Sequence, residues 1–406
     1  CGSSGLWFVV YSGYDANGGV GLIYRSSTGG TGTVWNSPVT IESGISEGYS
    51  FAVASNGTSV YLAVISPTDL THFWFDSGTV AGSVINWLPC SGANCVQSSP
   101  TSLKMFQIPL CLSSPGTPCN GQLISAGSPT IMVDKSSPPS GNCELAPLGA
   151  CVWVTVPALD SSLNWHVEIN MYETASPAPA NWQLATLGTP QDVQLHAVYS
   201  ATQSSVHAQM LMMKDGIAAL FSVGNTPQLP HITILDHGDN FKGTFSPSGW
   251  NEHFYEQQSQ AIVQPGTDTL FFAGLAQVNA VAGATVWYFT FTYNPIGTIG
   301  TYTAPLQITQ VQSITPGQVK DHSWHIAFTY ASSSGNLYLA YGVDNQLFSL
   351  VGAISGTSVN WLPSGTAVSG VSGLVDGVTE AAGDGVVGVV WVQALGSVYA
   401  VDFAIV

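Results

Sequence analysis

The sequence predicts an all-β fold, on three observations. Short runs in which Val, Ile, Phe, Tyr or Trp alternate with Ser, Thr or Gly recur along all 406 residues. Clusters of Gly, Asn, Asp and Ser separate these runs, as in ASNGTS from Ala54 and SSSGN from Ser332. No stretch of a dozen residues keeps the period of an α-helix. The runs are therefore predicted strands, and the clusters between them are hairpin turns.

An internal repeat specifies the kind of β fold. The segment EGYSFAVASNGTSVYLAV from Glu47 aligns with DHSWHIAFTYASSSGNLYLAYG from Asp321. Each is followed by a third strand that ends in nearly the same text, SVINWLP from Ser83 and SVNWLP from Ser358. Self-similarity over roughly sixty residues with about four strands a unit is typical of the blades of a β-propeller.

The same repeat pattern, an opening acid followed by strands and a Gly-containing turn, can be aligned along the whole chain. It predicts one propeller domain over residues 1–406, with partial blades at 1–46 and 376–406. The six strands of those two ends exceed one blade and fall short of two, so we expect about seven four-stranded blades, with six as the alternative. A pair of β-sandwiches also fits the alternation and turns. The predicted blade starts are residues 47, 123, 192, 252, 321 and 376.

Composition excludes several classes of function. Only 7% of the residues are charged and the net charge is −17, with six Lys and Arg in total, so the chain does not offer a surface for nucleic acid. No apolar run approaches the ~20 residues that span a bilayer. So few basic groups leave little mutual repulsion in acid, which suggests a hot or acidic extracellular setting. An ordinary secreted protein at neutral pH is the competing interpretation.

The cysteines indicate an oxidising compartment. Six of the seven form close pairs around loops rich in Gly, Pro and Ser, a spacing that suits disulfides better than zinc. No pair has the two-residue spacing of a zinc knuckle, and no His lies near in sequence. The predicted disulfides are Cys90–Cys95, Cys111–Cys119 and Cys143–Cys151.

The remaining cysteine and one sequon also bear on export. Cys1 followed by Gly-Ser-Ser resembles the start of a processed bacterial lipoprotein, in which this residue carries the lipid, and this is the one predicted route to a membrane. A chain boundary, or a free or intermolecular thiol, explains Cys1 equally simply. Asn56-Gly57-Thr58 is an acceptor sequon for glycosylation.

One segment resembles a known family. GLIYRSSTGGTGTVWNSPVTI at 21–41 is similar to the sialidase-type repeat, a strand ending in Ser-x-Asp-x-Gly-x-Thr-Trp, through Ser26 or Ser27, Gly30 or Gly32, Thr33 and Trp35. The Asp is absent and the spacing is longer. The resemblance implies a sialidase-like propeller fold. It does not imply the activity, because sialidases hold a carboxylate with three arginines and this chain has only Arg25.

The acid that opens each repeat is the clearest candidate for a site. It is followed four residues later by a second polar or aromatic group, and positions i and i+4 of a strand share one face. The inner strands of a propeller line its channel, so the repeat predicts a ring of carboxylates and imidazoles that would bind a ligand. Capping of backbone N–H groups by each acid is the alternative. The pairs are Glu47 and Phe51, Asp192 and His196, Glu252 and Glu256, Asp321 and His325, and Asp376 and Glu380.

A second candidate is a cation site. The loop Asp236-His237-Gly238-Asp239-Asn240 offers oxygen ligands for Ca²⁺ from Asp236, Asp239 and Asn240, although its spacing is not that of an EF-hand and such loops also serve as plain turns. Calcium is the one cofactor that the sequence suggests; otherwise none is expected.

Two classes of function follow. The first is a secreted or cell-surface propeller that binds glycan or protein without catalysis, or that packs with copies of itself in a coat, filament or virion appendage. The second is an extracellular glycoside-processing enzyme that uses paired carboxylates, with Asp192, Glu252 and Asp321 as the candidate catalytic residues. We favour the first, because the sequence lacks a specific catalytic motif.

Overall fold

The chain folds into antiparallel β-sheets, as the sequence predicts. A computed structural model describes residues 6–14, 20–30, 32–45, 50–66, 69–97, 102–110, 123–126, 128–134, 151–160, 165–172, 182–184, 195–199, 206–224, 229–236, 241–278, 285–311, 324–343, 345–362, 365–383, 386–395 and 398–406. Within these residues the one helical element is a short 3₁₀ turn, Lys214–Gly216. Two compact units can be distinguished, Cys1–Ser222 with Ile232–Thr244, and Val223–His231 with Phe245–Val406.

The first unit contains sheets 1 and 2. Sheet 1 has three strands in the order β1-β2-β3, namely β1 (Phe8–Tyr14), β2 (Val20–Ser26) and β3 (Val39–Ile45). In sheet 2 the long strand β6 pairs first with β9 and then with β7. The strands of sheet 2 are β4 (Ser50–Ser55), β5 (Ser59–Ser66), β6 (Asp69–Ala81), β7 (Val84–Trp87), β8 (Cys95–Val96) and β9 (Met105–Pro109).

Sheets 3 and 4 follow along the chain. In sheet 3 two short strands pair with β12 and two more with β13. Its strands are β10 (Leu123–Ala126), β11 (Thr130–Asp134), β12 (Cys151–Asp160), β13 (Trp165–Tyr172), β14 (Trp182–Leu184) and β15 (Leu195–Tyr199). Sheet 4 is a plain meander of β16 (Val206–Met212), β17 (Ala218–Gly224), β18 (Pro230–Leu235) and β19 (Phe241–Phe245).

The second unit contains sheets 5, 6 and 7. Sheets 5 and 6 are four-stranded meanders with one extra short strand on the third strand, and sheet 7 has three strands. Sheet 5 comprises β20 (Glu252–Val263), β21 (Thr269–Val278), β22 (Thr285–Asn294), β23 (Ile299–Tyr302) and β24 (Leu306–Gln307). Sheet 6 comprises β25 (Trp324–Ala331), β26 (Asn336–Val343), β27 (Gln346–Ser355), β28 (Ser358–Trp361) and β29 (Thr366–Ala367). Sheet 7 comprises β30 (Leu374–Gly383), β31 (Val386–Leu395) and β32 (Val398–Ile405).

Cores form where neighbouring sheets pack on one another. Leu22 of sheet 1 packs with Leu62 and Trp74 of sheet 2, and Phe271 of sheet 5 packs with Leu339 of sheet 6. Middle strands such as β5 are apolar without interruption because both of their faces are covered. Strands near the start of successive sheets are also neighbours. In the first unit β11, the second strand of sheet 3, lies beside β4 and β16; in the second unit the first strands β20, β25 and β30 are neighbours.

The two copies of the near-identical text adopt the same local structure. In sheet 2 Trp87 of β7 lies over Gly78 of β6, where a Cβ would meet Ile85 at 2.4 Å and the Trp87 ring at 3.2 Å. In sheet 6 Trp361 of β28 lies over Gly352 of β27, where a Cβ would meet its ring at 2.8 Å. Only glycine permits this approach. The shared text therefore encodes a fourth strand that is fixed by a tryptophan on a glycine.

The fold is all-β and of the β-propeller kind, as predicted, but the favoured number of blades is wrong. Sheets 2 to 6 have the four or more strands of a full blade, whereas sheets 1 and 7 have three each within the described residues. About seven four-stranded blades are therefore not present there, and six, the alternative, is closer. The repeat pattern predicted about three strands at each end, and the structure has three there, but the prediction counted these two partial sheets towards seven full blades.

None of the helical elements within the described residues has the length and hydropathy that crossing a bilayer requires.

Candidate functional site

The second unit places several predicted ring residues on adjacent strands. Glu252 opens β20, His325 lies on β25 opposite Gly342, and Glu380 lies on β30 opposite Val389. These are the first strands of sheets 5, 6 and 7, which neighbour one another in that order. Glu256 and Asp376 lie on β20 and β30 where the pairing register shifts. Whether these residues bind a ligand stays a prediction.

Glu380 is enclosed between sheets. Both of its carboxylate oxygens are buried, and neither accepts a hydrogen bond of good geometry within the described residues. Burial raises the pKa of Glu380 well above 4.5, and the peptide N–H groups of Thr329 and Ala340 on sheet 6 oppose that rise only in part. The carboxyl group therefore lies where β30 packs on β25 and β26, and its oxygens do not reach solvent.

Glu252 performs the capping role that was the alternative for these acids. Its Oε2 atom accepts a hydrogen bond from the backbone N–H of Asn251 at 3.1 Å, just before β20 begins. Of the other candidates, His196 lies on β15, which pairs with β13 in sheet 3 and is not the first strand of its sheet. Asp192, Asp321 and Glu47 lie outside the described residues. Of the three candidate catalytic residues, Asp192, Glu252 and Asp321, the structure therefore describes only Glu252.

The predicted calcium loop is described only at its first residue. Asp236 follows β18, and its Oδ2 atom lies 2.6 Å from Nζ of Lys242. Asp239 and Asn240 lie outside the described residues. Among the described part of the chain, no three His, Cys, Asp or Glu side chains are grouped so that they could hold a metal ion. Calcium binding here stays a prediction.

One predicted disulfide is confirmed. Cys90 and Cys95 are bonded, with their Cα atoms 5.9 Å apart, and the bridge closes the loop before β8. The predicted pairs Cys111–Cys119 and Cys143–Cys151 each include at least one residue outside the described part of the chain. Cys1 also lies outside it.

Asn56 of the sequon has a local structural role. Its Oδ1 atom accepts hydrogen bonds from the N–H groups of Thr58 and Ser59, at 3.1 and 2.8 Å. These bonds form the turn between β4 and β5. Modification of Asn56 stays a prediction.

Asp69 anchors a polar network that the sequence analysis missed. Its carboxylate accepts hydrogen bonds from Gln107 Nε2 at 2.6 Å, Thr71 Oγ1 at 2.9 Å and Trp74 Nε1 at 3.2 Å, and lies 3.0 Å from Nδ1 of His72. Partial burial by itself would raise the pKa of Asp69, but the bonds from these four side chains outweigh it and lower the pKa from 3.8 to about 2. The network ties the start of β6 to β9.

We expect Asp69→Asn to destabilise the chain at neutral pH. Because the folded-state pKa is depressed, the stabilisation is present above pH 3.8 and is lost as the pH falls through about 2. Solvent screening limits the loss at pH 7 to on the order of 1 kcal/mol. Urea unfolding at pH 7 and pH 2 measures it. Asp215→Asn, at a carboxylate 74% exposed beside Lys214, is the control and should change little. A loss that is equal at both pH values would contradict the assignment.

A cluster of seven aromatic side chains is the most distinctive surface feature of the second unit. Four of the rings are buried, and Trp250, Tyr302 and Phe245 lie over them half-buried. The ring of Trp250 meets Phe289 edge-on at 4.8 Å and Tyr302 at 5.7 Å between centroids. We call this group the aromatic cluster; its members are Phe245, Trp250, Phe254, Phe272, Phe289, Phe291 and Tyr302.

The outer rings are held in place by close packing and hydrogen bonds. The hydroxyl of Tyr302 donates to the carbonyl of Phe245 at 2.8 Å. The ring of Phe245 lies against Gly300, where a Cβ would meet it at 2.6 Å. Contacts of this kind fix the ring orientations before any ligand arrives.

Polar groups border the aromatic cluster. The segment 246–251 runs from β19 to β20, and its Ser246, Ser248 and Asn251 are exposed. Ser246 Oγ lies 2.6 Å from Nδ1 of His231, and burial lowers the pKa of that imidazole. Burial disfavours the charged form of this imidazole. Aromatic faces beside neutral hydroxyl and amide groups form an amphipathic surface.

Sequence analysis did not reveal this surface, because a tryptophan that follows Asn on a strand can equally pack within the core. Trp361, which follows Asn360, does so and packs on Tyr288 and Phe328. Trp250 differs: it precedes Asn251 instead of following an Asn, and it ends a turn, Ser-Pro-Ser-Gly, instead of lying in a strand. That reversal was the available signal.

Comparison with known proteins shows the fold alone. No family model matches the chain, and no curated protein matches it. The polysaccharide lyase Uly1 is similar in structure, with a TM-score of 0.53 and 11% identity over 99% of this chain and 87% of that one. An identity this low shows a shared fold and carries no activity.

Other similar structures include both a sialidase and a propeller domain. The NanB sialidase of Streptococcus pneumoniae matches at TM-score 0.44 and 10% identity, over 100% of this chain and 67% of that one. The β-propeller domain of Nup133 from Vanderwaltozyma polyspora matches at 0.47 and 9%, over 98% and 91%. The resemblance at residues 21–41 implied a propeller fold, and the blade-like sheets have that fold.

Proposed function

We propose that this chain is an extracellular β-propeller module that binds neutral glycans, without catalysis, through the aromatic cluster. The observation that carries the proposal is the half-buried group of Trp250, Tyr302 and Phe245, which is fixed from below and bordered by Ser246, Ser248 and Asn251. Sugar rings present apolar faces and equatorial hydroxyls, which match aromatic faces and small polar groups respectively.

Charge favours neutral glycans over acidic ones. With a net charge of −17 and six Lys and Arg in the whole chain, an anionic polysaccharide would meet repulsion and few partners for its carboxylates or sulfates. The Nδ1 atom of His231 at the border of the cluster bonds to Ser246, and burial lowers the pKa of its imidazole and so disfavours a positive charge there. The partner of the proposed site is therefore uncharged.

The described carboxylates support a binding role over glycoside hydrolysis. Hydrolysis requires two carboxyl groups about 5 to 9 Å apart in an open cleft. Glu380 is closed off between sheets, Glu252 caps a backbone N–H, and Asp69 is saturated by its own network. The disulfide Cys90–Cys95 supports the extracellular setting, because such bonds persist in oxidising compartments.

Loss of the Trp250 ring should weaken binding strongly. In isothermal titration with neutral hexasaccharides of glucose, mannose, galactose and N-acetylglucosamine, we expect the intact chain to bind at least one of them. Trp250→Ala should weaken that binding by at least about tenfold, as for an aromatic hot-spot residue.

The matched control is Trp87→Ala. Trp87 is also half-buried, but it packs over Gly78 in sheet 2 of the other unit. This variant should lose stability and keep its affinity. If the intact chain binds none of the four sugars, or if Trp87→Ala lowers the affinity as much as Trp250→Ala does, the proposal is wrong.

A further inference from the structure

Two half-buried rings of the aromatic cluster, Trp250 and Tyr302, stand nearly at right angles to each other. Their planes meet at 83° with 5.7 Å between centroids, so the edge of one ring points towards the other ring. Phe289, the buried ring beneath them, is parallel to neither, because its plane lies 64° from that of Trp250 and 52° from that of Tyr302. The two outer rings therefore form a corner and not a flat platform, and we call this pair the corner.

The turn before Trp250 sets the direction of one ring of the corner. Within this turn Pro247 is buried and anchors the chain, whereas the residues beside it are exposed. Gly249 has a φ of 74°, in the left-handed region that favours glycine, although a Cβ there would meet no atom within 4 Å. Backbone conformation, and not lack of space, therefore requires glycine immediately before Trp250.

Hydrogen-bonding groups lie beside Trp250. Within the described residues its indole N–H makes no hydrogen bond, and it is not one of the buried unpaired indole groups, so a ligand can reach this donor. The hydroxyl of Tyr302, in contrast, donates to the carbonyl of Phe245, which leaves the ring as its main contribution to the corner. The exposed polar side chains of the segment 246–251 belong to the same stretch of chain as Trp250. One ring of the corner is thus bordered by polar groups, and the other is an apolar wall.

A linear sugar chain can leave such a corner in only one direction. A sugar ring that stacks on the face of one aromatic ring meets the other aromatic ring at its side, because the second ring crosses the plane in which the chain would continue. An internal residue of the chain has a neighbour at each of its two sides, whereas an end residue has a neighbour at one side only. A platform of coplanar rings would instead suit an internal stretch.

We propose that the corner binds the end residue of a neutral glycan chain, and not an internal stretch of it. This inference rests on the proposed function and names the part of the glycan that the site takes. The end residue stacks on one ring of the corner and is stopped by the other. Its hydroxyls lie within reach of the indole N–H of Trp250 and of the exposed side chains of Ser246, Ser248 and Asn251.

The length of the glycan tests the proposal. The intact chain is titrated with the disaccharide, the hexasaccharide and a linear polymer of whichever of the four neutral sugars it binds. End recognition predicts affinities for the disaccharide and the hexasaccharide that agree within about threefold, and one copy of the protein on each polymer chain. An affinity that rises by more than about tenfold with length, or several copies on each polymer chain, would overturn the proposal while leaving glycan binding intact. Absence of binding to all four sugars would overturn the proposed function, and this inference with it.

Tyr302→Ala removes one ring of the corner and should weaken binding of the hexasaccharide by at least about tenfold. Ile299→Ala is the matched control, because Ile299 lies on the same strand, β23, is 54% exposed and is not a member of the aromatic cluster. This variant should keep its affinity. Unchanged affinity of folded Tyr302→Ala would overturn the role of the corner. If near-UV circular dichroism shows that Tyr302→Ala has lost its fold, the number of copies on each polymer chain, measured on the intact protein, decides the question.

Discussion

Asp76→Asn is expected to make the chain markedly more stable at pH 7 while leaving its stability at pH 4 nearly unchanged. Asp76 lies on β6 opposite Leu62 and is fully buried. Its Oδ1 atom accepts a hydrogen bond from the N–H of Ser77 at 2.7 Å, and its Oδ2 atom has no partner among the described residues. Burial, opposed only by that one bond, raises the pKa of Asp76 from 3.8 to about 8.

The sign of the effect follows from proton binding. Between pH 3.8 and about 8 the unfolded chain has released this proton and the folded chain holds it, so stability is greatest below pH 3.8 and falls as the pH rises. Each pH unit in that window costs ~1.4 kcal/mol. Asn cannot ionise, and it keeps an oxygen for Ser77, so the gain at pH 7 should be roughly 2–4 kcal/mol.

Urea unfolding followed by tryptophan fluorescence at pH 4 and pH 7 measures this gain. Asp69→Asn is an informative companion, because its pKa is shifted the other way and its loss of stability should be larger at pH 7 than at pH 2. Equal stabilities of Asp76→Asn and the intact chain at pH 7 would show that Asp76 is not buried as described.

Phe289→Ala is expected to destabilise the chain by about 3–5 kcal/mol and to disable the proposed glycan site at the same time. Phe289 is fully buried on β22, stacks on Phe272 at 4.3 Å between centroids and supports Trp250 at 4.8 Å. Truncation would leave a cavity under the outer rings. Trp250 would then lose its fixed orientation as well as its packing.

Thermal unfolding and titration with the sugar that the intact chain binds measure the two effects. Phe241→Ala is the control, because Phe241 is 40% exposed on β19 and its removal leaves no core cavity. Affinity that survives Phe289→Ala in the folded state would mean that the outer rings do not need this support.

The repeat was predictable from sequence because its signal is local. A glycine, an alternating strand and a Trp on the fourth strand recur in the same order, and they build the same contact of Trp87 on Gly78 and of Trp361 on Gly352. The termini were harder. Whether three strands complete a neighbouring sheet or form their own depends on pairing between distant segments, and a period in the text does not encode that pairing.

The sequence predicted which strands carry the candidate acids, but not the surroundings of their side chains. Sequence put Glu252, His325 and Glu380 on comparable strands, and the structure has them on β20, β25 and β30. It did not reveal that the Glu380 carboxylate is closed between sheets, because burial of a side chain on an inner strand depends on how closely the next sheet packs. The aromatic cluster was missed for a related reason, since its rings come from β19 to β23 and from the segment between β19 and β20.

The anchoring of Arg25 bears on how the chain would resist digestion. Arg25 lies on β2, the middle strand of sheet 1, and its Nε atom donates to the carbonyl of Asn36 at 2.9 Å. A trypsin-like protease has six cleavable side chains in the whole sequence. Cleavage after Arg25 requires that β2 first separates from β1 and β3, because proteases bind their substrates as extended backbone released from the fold. The rate of that cut therefore measures how often sheet 1 opens.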